Sequence, residues 1–292
     1  MSGALLLSGA TGYLGRHAAA RLQHAGHAVH ALVRPNSPIE ALQAAAPATR
    51  LHVYDGGYPS IEAAGRAGPF EAIVHIAGVG QLVTPPVEIP ALVDVSVTLP
   101  AWLMALAVSG TAPRVVLVGS YWAWSDGENS APNSVYAAAK VGARAIADHY
   151  AAFHGLEAVE LAMHDVYGPN DVRRKLFNLL DEASRTGLAL DMTAGEQRIA
   201  PIHVSDACAA IEAALVRDAT PRCASYATAG PEIVSLRQLV ATFERATGRK
   251  VVVNWGALPY PRGQIMQPWM GRPLPNWKPI IKLEQGLREI FG

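Results

Sequence analysis

Apolar residues run in short unbroken blocks through the first half of this chain. Leu5–Ser8, Ala28–Val33, Leu51–Tyr54, Ala72–Ala77, Arg114–Gly119 and Glu157–Leu161 have strand length. The segments Leu14–Ala25, Ile89–Val108 and Tyr136–His154 carry apolar positions at helical spacing. Strands that are apolar throughout, separated by helices, predict a parallel sheet covered on both faces. The expected class is therefore α/β, a doubly wound parallel sheet. Ligands in such sheets bind beyond the carboxyl ends of the strands.

The rhythm changes after Leu161. Asp165–Asp171 reads as a loop with Gly168-Pro169, followed by a helix near Arg174–Thr186. Ile202–Val204 resumes a strand and Ser205–Val216 a helix. From Pro231 onward prolines crowd the chain, at Pro259, Pro261, Pro268, Pro273, Pro275 and Pro279. That tail predicts loops with short helices. The expected organisation is a sheet domain of residues 1–164 plus 203–229. A smaller discontinuous lobe, residues 165–202 plus 230–292, would cover the cleft.

Composition narrows the function classes. Half of the 292 residues are hydrophobic and 16% are charged, which argues against disorder. Lys+Arg and Asp+Glu both total 24, so no basic field predicts nucleic-acid binding. Cys208 and Cys223 form neither a metal-ligand spacing nor a disulfide framework, and no metal is expected. No uninterrupted apolar run reaches the roughly 18 residues of a membrane span. Met1-Ser2-Gly3-Ala4 leads directly into a strand without a basic region or cleavage pattern, so the cytoplasm is the expected compartment.

Two turns carry candidate chemistry. Gly9-Ala-Thr-Gly12-Tyr-Leu-Gly15 joins the first strand to the first helix. Glycines there allow a tight turn and close approach of a pyrophosphate to the helix N-terminus. Arg34 closes the second strand, where an acidic residue would accept from the ribose hydroxyls of NAD. An arginine suits the 2′-phosphate of NADP instead, with Asn36 and Ser37 as added donors. NADP is the expected cofactor and NAD the alternative. Asp55-Gly56 fits the adenine edge. Ala77-Gly78 fits the ribose and nicotinamide.

Tyr136-Ala-Ala-Ala-Lys140 places a phenol and an ammonium on one helix face. A nearby positive charge favours the phenolate, so the pair predicts a lowered phenol pKa and proton exchange with a carbonyl or alcohol. The spacing alone also occurs on ordinary solvated helices. Here Ser120 follows a buried strand upstream of it, and the glycine turn precedes both.

Together these residues resemble the extended branch of the short-chain dehydrogenase/reductases, the NAD(P)-dependent epimerase/dehydratase family with a Rossmann fold. The resemblance covers nearly the whole chain, with the motifs in order. They are Gly9–Gly15, His75-Ile-Ala77-Gly78, Val118-Gly119-Ser120, Asn133-Ser-Val-Tyr136 through Lys140, Val166-Tyr167-Gly168-Pro169, and Ile202-His203-Val204-Ser205-Asp206. Thr193-Ala-Gly195-Glu196-Gln197 is most similar to reductases of nucleotide-linked 4-keto-6-deoxy sugars, the paratose and abequose synthases among them. The resemblance implies catalysis by Ser120, Tyr136 and Lys140. It implies cofactor contacts from Thr11, Tyr13, Leu14, Val118, His164 and Val166. It implies substrate contacts from Tyr121, Trp122, Asp165, Lys175, Leu176 and Arg198, and a possible homodimer.

The chain also departs from that family. Ser96 and Asp165 stand where Asn is usual, and Ala162 where Arg is usual. An aspartate at 165 would repel a substrate diphosphate unless Arg173-Arg174-Lys175 compensates. Tyr121-Trp122 replaces the Asp-Glu pair of the 4,6-dehydratases, which argues against dehydration.

The leading expectation is an NADP-dependent reductase of a nucleotide-linked keto sugar. The alternatives are a nucleotide-sugar 4-epimerase holding NAD tightly, a reductase of small apolar or aromatic ketones, and a cofactor-sensing or scaffold protein. Arg34 argues against the second, and the retained Tyr-Lys pair against the last.

Overall fold

The computed structural model describes residues 3–124, 131–218 and 220–292. Met1 and Ser2 of the N-terminal run lie outside the described residues. Seven strands form one parallel sheet: β1 (Ala4–Ser8), β2 (Ala28–Val33), β3 (Arg50–Val53), β4 (Ala72–His75), β5 (Arg114–Ser120), β6 (Glu157–Met163) and a late strand, Cys223–Thr228. Between β6 and that late strand come four short strands: β7 (Val166–Tyr167), β8 (Leu190–Met192), β9 (Arg198–Ile199) and β10 (Ile202–His203). The late strand is thus β11. β12 (Val234–Ser235) and β13 (Val253–Trp255) follow. The sheet order is β11-β6-β5-β4-β1-β2-β3, the doubly wound order with its crevice between β1 and β4.

The helices of the first half are α1 (Tyr13–His24), α2 (Glu40–Ala45), α3 (Tyr58–Gly65), α4 (Ile89–Val93), α5 (Leu99–Leu106) and α6 (Val135–His154). Those of the second half are α7 (Leu176–Thr186), α8 (Val204–Leu215), α9 (Leu236–Thr247) and α10 (Leu283–Phe291). Alternation along the strands explains the layers. Leu5 and Leu7 face α1 and α8, in a core with Leu22, Val116 and Ile211. Leu6, between them, faces the other way, toward Ile61 of α3 and Leu103 of α5. The sheet is buried on both faces, as its unbroken apolar blocks predict.

A third cluster lies apart from the sheet. Phe177 and Leu180 of α7 pack with Leu239 and Phe243 of α9 and Leu287 of α10. The proline-rich tail is short helices and loops, with a long loop from 256 to 282 between α9 and α10. α9 runs 12 residues, opened by a capping box of Ser235 and Gln238 and closed by Gly248 at φ 69°.

The stretch read as one helix, Ile89–Val108, is divided. Asp94–Thr98 and Ala107–Thr111 form π-helical turns around α5. The continuous helical stretch Pro86–Thr111 is long and apolar enough to cross a membrane by length and composition, with a mean hydropathy of 1.9 in an 18-residue window. Leu99, Leu103, Met104 and Leu106 of this stretch are committed to the protein core.

Candidate active site

A cavity of about 710 Å³ opens at the carboxyl ends of β1, β4 and β5. The glycine-rich turn forms one wall, with Gly9, Thr11, Gly12, Tyr13, Leu14 and Gly15 all lining it. Gly9 adopts φ +77°, and a Cβ on it would lie 2.5 Å from the Ala77 nitrogen. A Cβ on Gly15 would lie 2.0 Å from the Gly9 carbonyl oxygen. These glycines let the turn close against β4 and α1. No side chain caps the N-terminus of α1 at Gly12. Its free N–H groups and helix dipole suit an anion, so the turn fits a dinucleotide pyrophosphate.

The far end of the cavity is lined by Leu32, Arg34, Ser37, Tyr54 and Asp94. The Arg34 backbone nitrogen donates to Ser37 Oγ at 3.1 Å. Its exposed guanidinium makes no ion pair among the described residues. Asp55 and Gly56 lie beyond the residues that line the cavity. The Asp55 carboxylate turns back and accepts from the Gly57 nitrogen at 3.0 Å, and Tyr54 takes the wall position.

The near end brings together Ala77, Gly78, Val118, Ser120, Tyr136, His164 and Val166. Helix α6 places the tyrosine. Ser134 caps it by accepting from the Ala137 nitrogen at 3.2 Å. Its buried stripe is Ala137, Ala143, Ala147 and Ala151, small enough to bring the helix close to the sheet. Lys140 is buried behind Gly78 rather than on the wall, and donates from Nζ to the Ala77 carbonyl at 3.0 Å. Its ammonium is 5.9 Å from the Tyr136 ring centre. Ser120 Oγ accepts from the Trp122 nitrogen at 3.2 Å, which leaves its hydroxyl proton free to donate.

The electrostatics differ from the simple expectation for the phenol. Burial pushes the Tyr136 phenol up to about 12, and Ser120 pulls against that shift. Burial lowers Lys140 to about 8, while the Glu160 carboxylate acts the other way. In the protein alone, desolvation outweighs the lowering that the lysine was expected to produce.

The third region of the cavity is mixed. Trp122 stands edge-on to Tyr136, with planes at 88° and centroids 6.2 Å apart. Tyr121 stacks on His164 at 4.3 Å and donates to Asp165 Oδ2 at 2.9 Å. Asp165, Lys175 and Leu176 line the wall, and burial raises the Asp165 carboxyl. Arg173 is spent on Asp171, with two contacts of 2.7 Å, and Arg174 is exposed. Arg198 does not face the cavity, contrary to expectation. Its neighbours Gln197 and Ile199 do, and alternation along β9 turns Arg198 outward. It donates to the Ile233 carbonyl at 3.3 Å.

Sequence reasoning missed Gln197, Ile199, Asn133, Gln264 and Ile265, all of which line the cavity. Gln264 and Ile265 arrive on a C-terminal strap that is tied along its length. Asn133 Nδ2 donates to the Gly263 carbonyl at 3.2 Å, and the Arg198 nitrogen to the Met266 carbonyl at 3.0 Å. His164 Nε2 donates to the Trp269 carbonyl at 2.9 Å. Trp124 stacks on Trp269 at 4.3 Å and carries Arg144 on its ring. No signal at residues 260–270 marks them as cavity residues, since their placement depends on long-range packing.

His75 and His203 are core histidines, both 1% exposed. Ser96 is buried, and its hydroxyl has no partner among the described residues. Cys208 and Cys223 are free. No group of three or more metal-ligating side chains occurs among the described residues.

The model of the NAD dependent epimerase/dehydratase family matches residues 5–226. The chain belongs to this family. A dTDP-glucose 4,6-dehydratase of Actinoplanes sp. is 33% identical over 93 residues, 32% of this chain and 29% of that protein. A CDP-abequose synthase of Yersinia pseudotuberculosis is 25% identical over 121 residues, 41% of this chain and 42% of that protein. The chain thus spans less than half the length of these curated relatives in its matches. The UDP-glucuronic acid 4-epimerase of Bacillus cereus, solved with UDP-glucuronic acid and NAD, superposes with a TM-score of 0.84 at 16% identity, covering 99% of this chain and 98% of that one. The UDP-glucose 4-epimerase of Thermotoga maritima, solved with UDP-glucose, gives 0.84 at 18% identity, covering 99% and 97%. At these identities the likeness is one of fold. This epimerase/dehydratase family member carries the Rossmann sheet of its family, with its cavity at the sheet's switch point.

Proposed function

We propose that this protein is an NADP-dependent reductase of a nucleotide-linked keto sugar. The observation that carries the reading is one continuous cavity. It joins an unpaired Arg34 at one end, through the glycine turn, to Ser120 and Tyr136 at the other. The cofactor, when bound, supplies the hydride. Tyr136 gives its proton to the oxygen of the reduced carbonyl. Ser120 donates a hydrogen bond to the same oxygen, a preorganised partner for charge that develops there. Lys140 holds a positive charge behind both and helps the phenol release its proton. The similarity to an abequose synthase supports a sugar nucleotide as substrate, and Lys175 is the wall cation placed to meet its diphosphate.

A second reading is reduction of a small apolar or aromatic ketone. The outward turn of Arg198 favours it, together with the inward side chains of Trp122, Ile199, Leu236 and Ile265. The two readings share cofactor and catalytic residues. The test is NADPH oxidation with a panel of keto-sugar nucleotides and of unphosphorylated aryl ketones. Turnover of sugar nucleotides alone supports the first reading. Turnover of aryl ketones alone supports the second. Epimerisation of a sugar nucleotide with no added cofactor would overturn both.

A further inference from the structure

Asp94 is the only charged residue between Ile89 and Thr111, in an otherwise apolar helical stretch. It opens the π-helical turn Asp94–Thr98. Turns of that kind are rare and recur at functional sites. Ala91, Asp94 and Val95 share one face of the helix, and all three line the cavity. The fold thus places a single carboxylate of this helix on the cavity wall.

The surroundings of that carboxylate are apolar. Leu32, Tyr54 and Leu99 belong to one packed cluster, are at most 6% exposed, and line the same cavity. The Tyr54 hydroxyl donates to Asp94 Oδ2 at 3.5 Å, a long bond. Oδ1 has no hydrogen-bond partner among the described residues, and no cation pairs with Asp94 among them. A carboxylate in apolar surroundings is costly unless a donor meets it.

The order of groups along the cavity shows which part of a dinucleotide would bring that donor. The glycine turn suits the pyrophosphate, and Ser120 and Tyr136 stand at the reacting end. The adenosine half therefore belongs toward Arg34, Tyr54 and Asp94. A purine is flat, and its faces suit walls of Leu32, Tyr54, Val95 and Leu99. The edge of adenine carries a 6-amino group, whose N–H suits a charged acceptor. Asp55 is turned back onto the Gly57 nitrogen, which leaves Asp94 as the carboxylate on this part of the wall.

We propose, on the reading of this cavity as a dinucleotide site, that Asp94 accepts a hydrogen bond from the 6-amino group of the cofactor's adenine and selects that base.

The probes are NADPH and its hypoxanthine analogue, in which a carbonyl oxygen replaces the 6-amino group. Dissociation constants come from titration calorimetry. Wild type should bind NADPH roughly ten- to a hundredfold more tightly than the analogue, the worth of a hydrogen bond to a charged group. Asp94→Asn keeps the shape and brings an N–H that can donate to the carbonyl. It should weaken NADPH, strengthen the analogue, and so erase or invert the preference. Asp94→Ala should weaken NADPH without that gain. Thermal melting of each variant verifies the fold. Equal wild-type affinity for the two bases overturns the proposal. So does a preference that survives in Asp94→Asn, and so does an equal loss for both ligands, which would place the carboxylate on the ribose. The same titrations with NADH and its hypoxanthine analogue separate this proposal from the choice of NADP. Tighter binding of NADH than of NADPH overturns the NADP reading, and the base preference within the NADH pair then decides the role of Asp94. Binding of none of the four overturns the dinucleotide reading and the proposal with it.

Discussion

The ammonium of Lys140 donates to the Ala77 carbonyl at 3.0 Å, tying α6 to the end of β4. The bond fixes the helix that presents Tyr136 relative to the strand end that borders Gly78. Tyr136→Phe deletes the proton and leaves this tie intact. Turnover of the reduced substrate should fall by about 10²–10⁴-fold, the usual worth of a positioned acid. NADPH affinity should stay near wild type. Wild-type turnover by the phenylalanine variant would remove Tyr136 from the chemistry.

Arg34 is the test of cofactor choice. Its guanidinium is exposed at the cavity end and unpaired among the described residues. Arg34→Asp should weaken NADPH binding by about 1.5–3 kcal/mol, the worth of a hydrogen bond to a charged group, or roughly ten- to a hundredfold. NADH affinity should rise or hold. Titration of both cofactors against both proteins checks this, and an unchanged ratio would leave Arg34 a surface residue.

The motif-bearing half of the site was legible because its geometry is local. Gly9–Gly15, Ser120 and Tyr136–Lys140 each sit at a strand end or on one helix face, so spacing alone places them. Arg198 was not legible. Deciding whether it points in or out requires the pairing of β9 with β12, a two-residue antiparallel contact that no periodicity reveals. Strand β11 was missed for a related reason. Cys223–Thr228 includes polar positions at Ser225 and Thr228, and its place at the sheet edge comes from pairing with β6. The tail's prolines correctly mark the long loop from 256 to 282, and Ser235 and Gln238 spell the start of the helix before it.

The outward turn of Arg198 reverses the mutational expectation for the substrate cleft. Arg198→Ala should leave sugar-nucleotide affinity unchanged. Lys175→Ala, on the wall, should weaken it by about 1.5–3 kcal/mol. Competition against NADPH-saturated protein by nucleoside diphosphates would compare the two. A larger loss at Arg198 would show that β9 rotates when substrate binds.

Acid should destabilise the fold through neutral histidines. Burial depresses His164 to about 4, and it also lowers His75, His203, His30 and His52. Each binds its proton more weakly folded than unfolded. Their contribution is therefore fully present above the ordinary histidine pKa of about 6.5. For His164 it is lost as pH falls from there toward about 4. At full extent that single residue accounts for about 3 kcal/mol. Urea midpoints measured across this range should fall for wild type and fall less steeply for His164→Asn.

Gly15→Ala should be severe. The added methyl would meet the Gly9 carbonyl at 2.0 Å, backbone against backbone, with no flexible side chain to yield. Expected results are a lowered melting temperature and loss of NADPH-induced stabilisation. A variant that melts like wild type and is still stabilised by NADPH would show that the turn can open without cost.

The strap tied at Gly263, Met266 and Trp269 has a consequence for how the protein is made. Strand β11 ends at Thr228, so every strand of the seven-stranded sheet has been synthesised by then. Gln264 and Ile265, which complete the cavity wall, come later. A chain emerging from the ribosome can therefore form a dinucleotide cradle before it has a finished substrate chamber. Cofactor could attach to the nascent protein, while discrimination among substrates must wait for Gln264 and Ile265, made well after the last strand of the sheet.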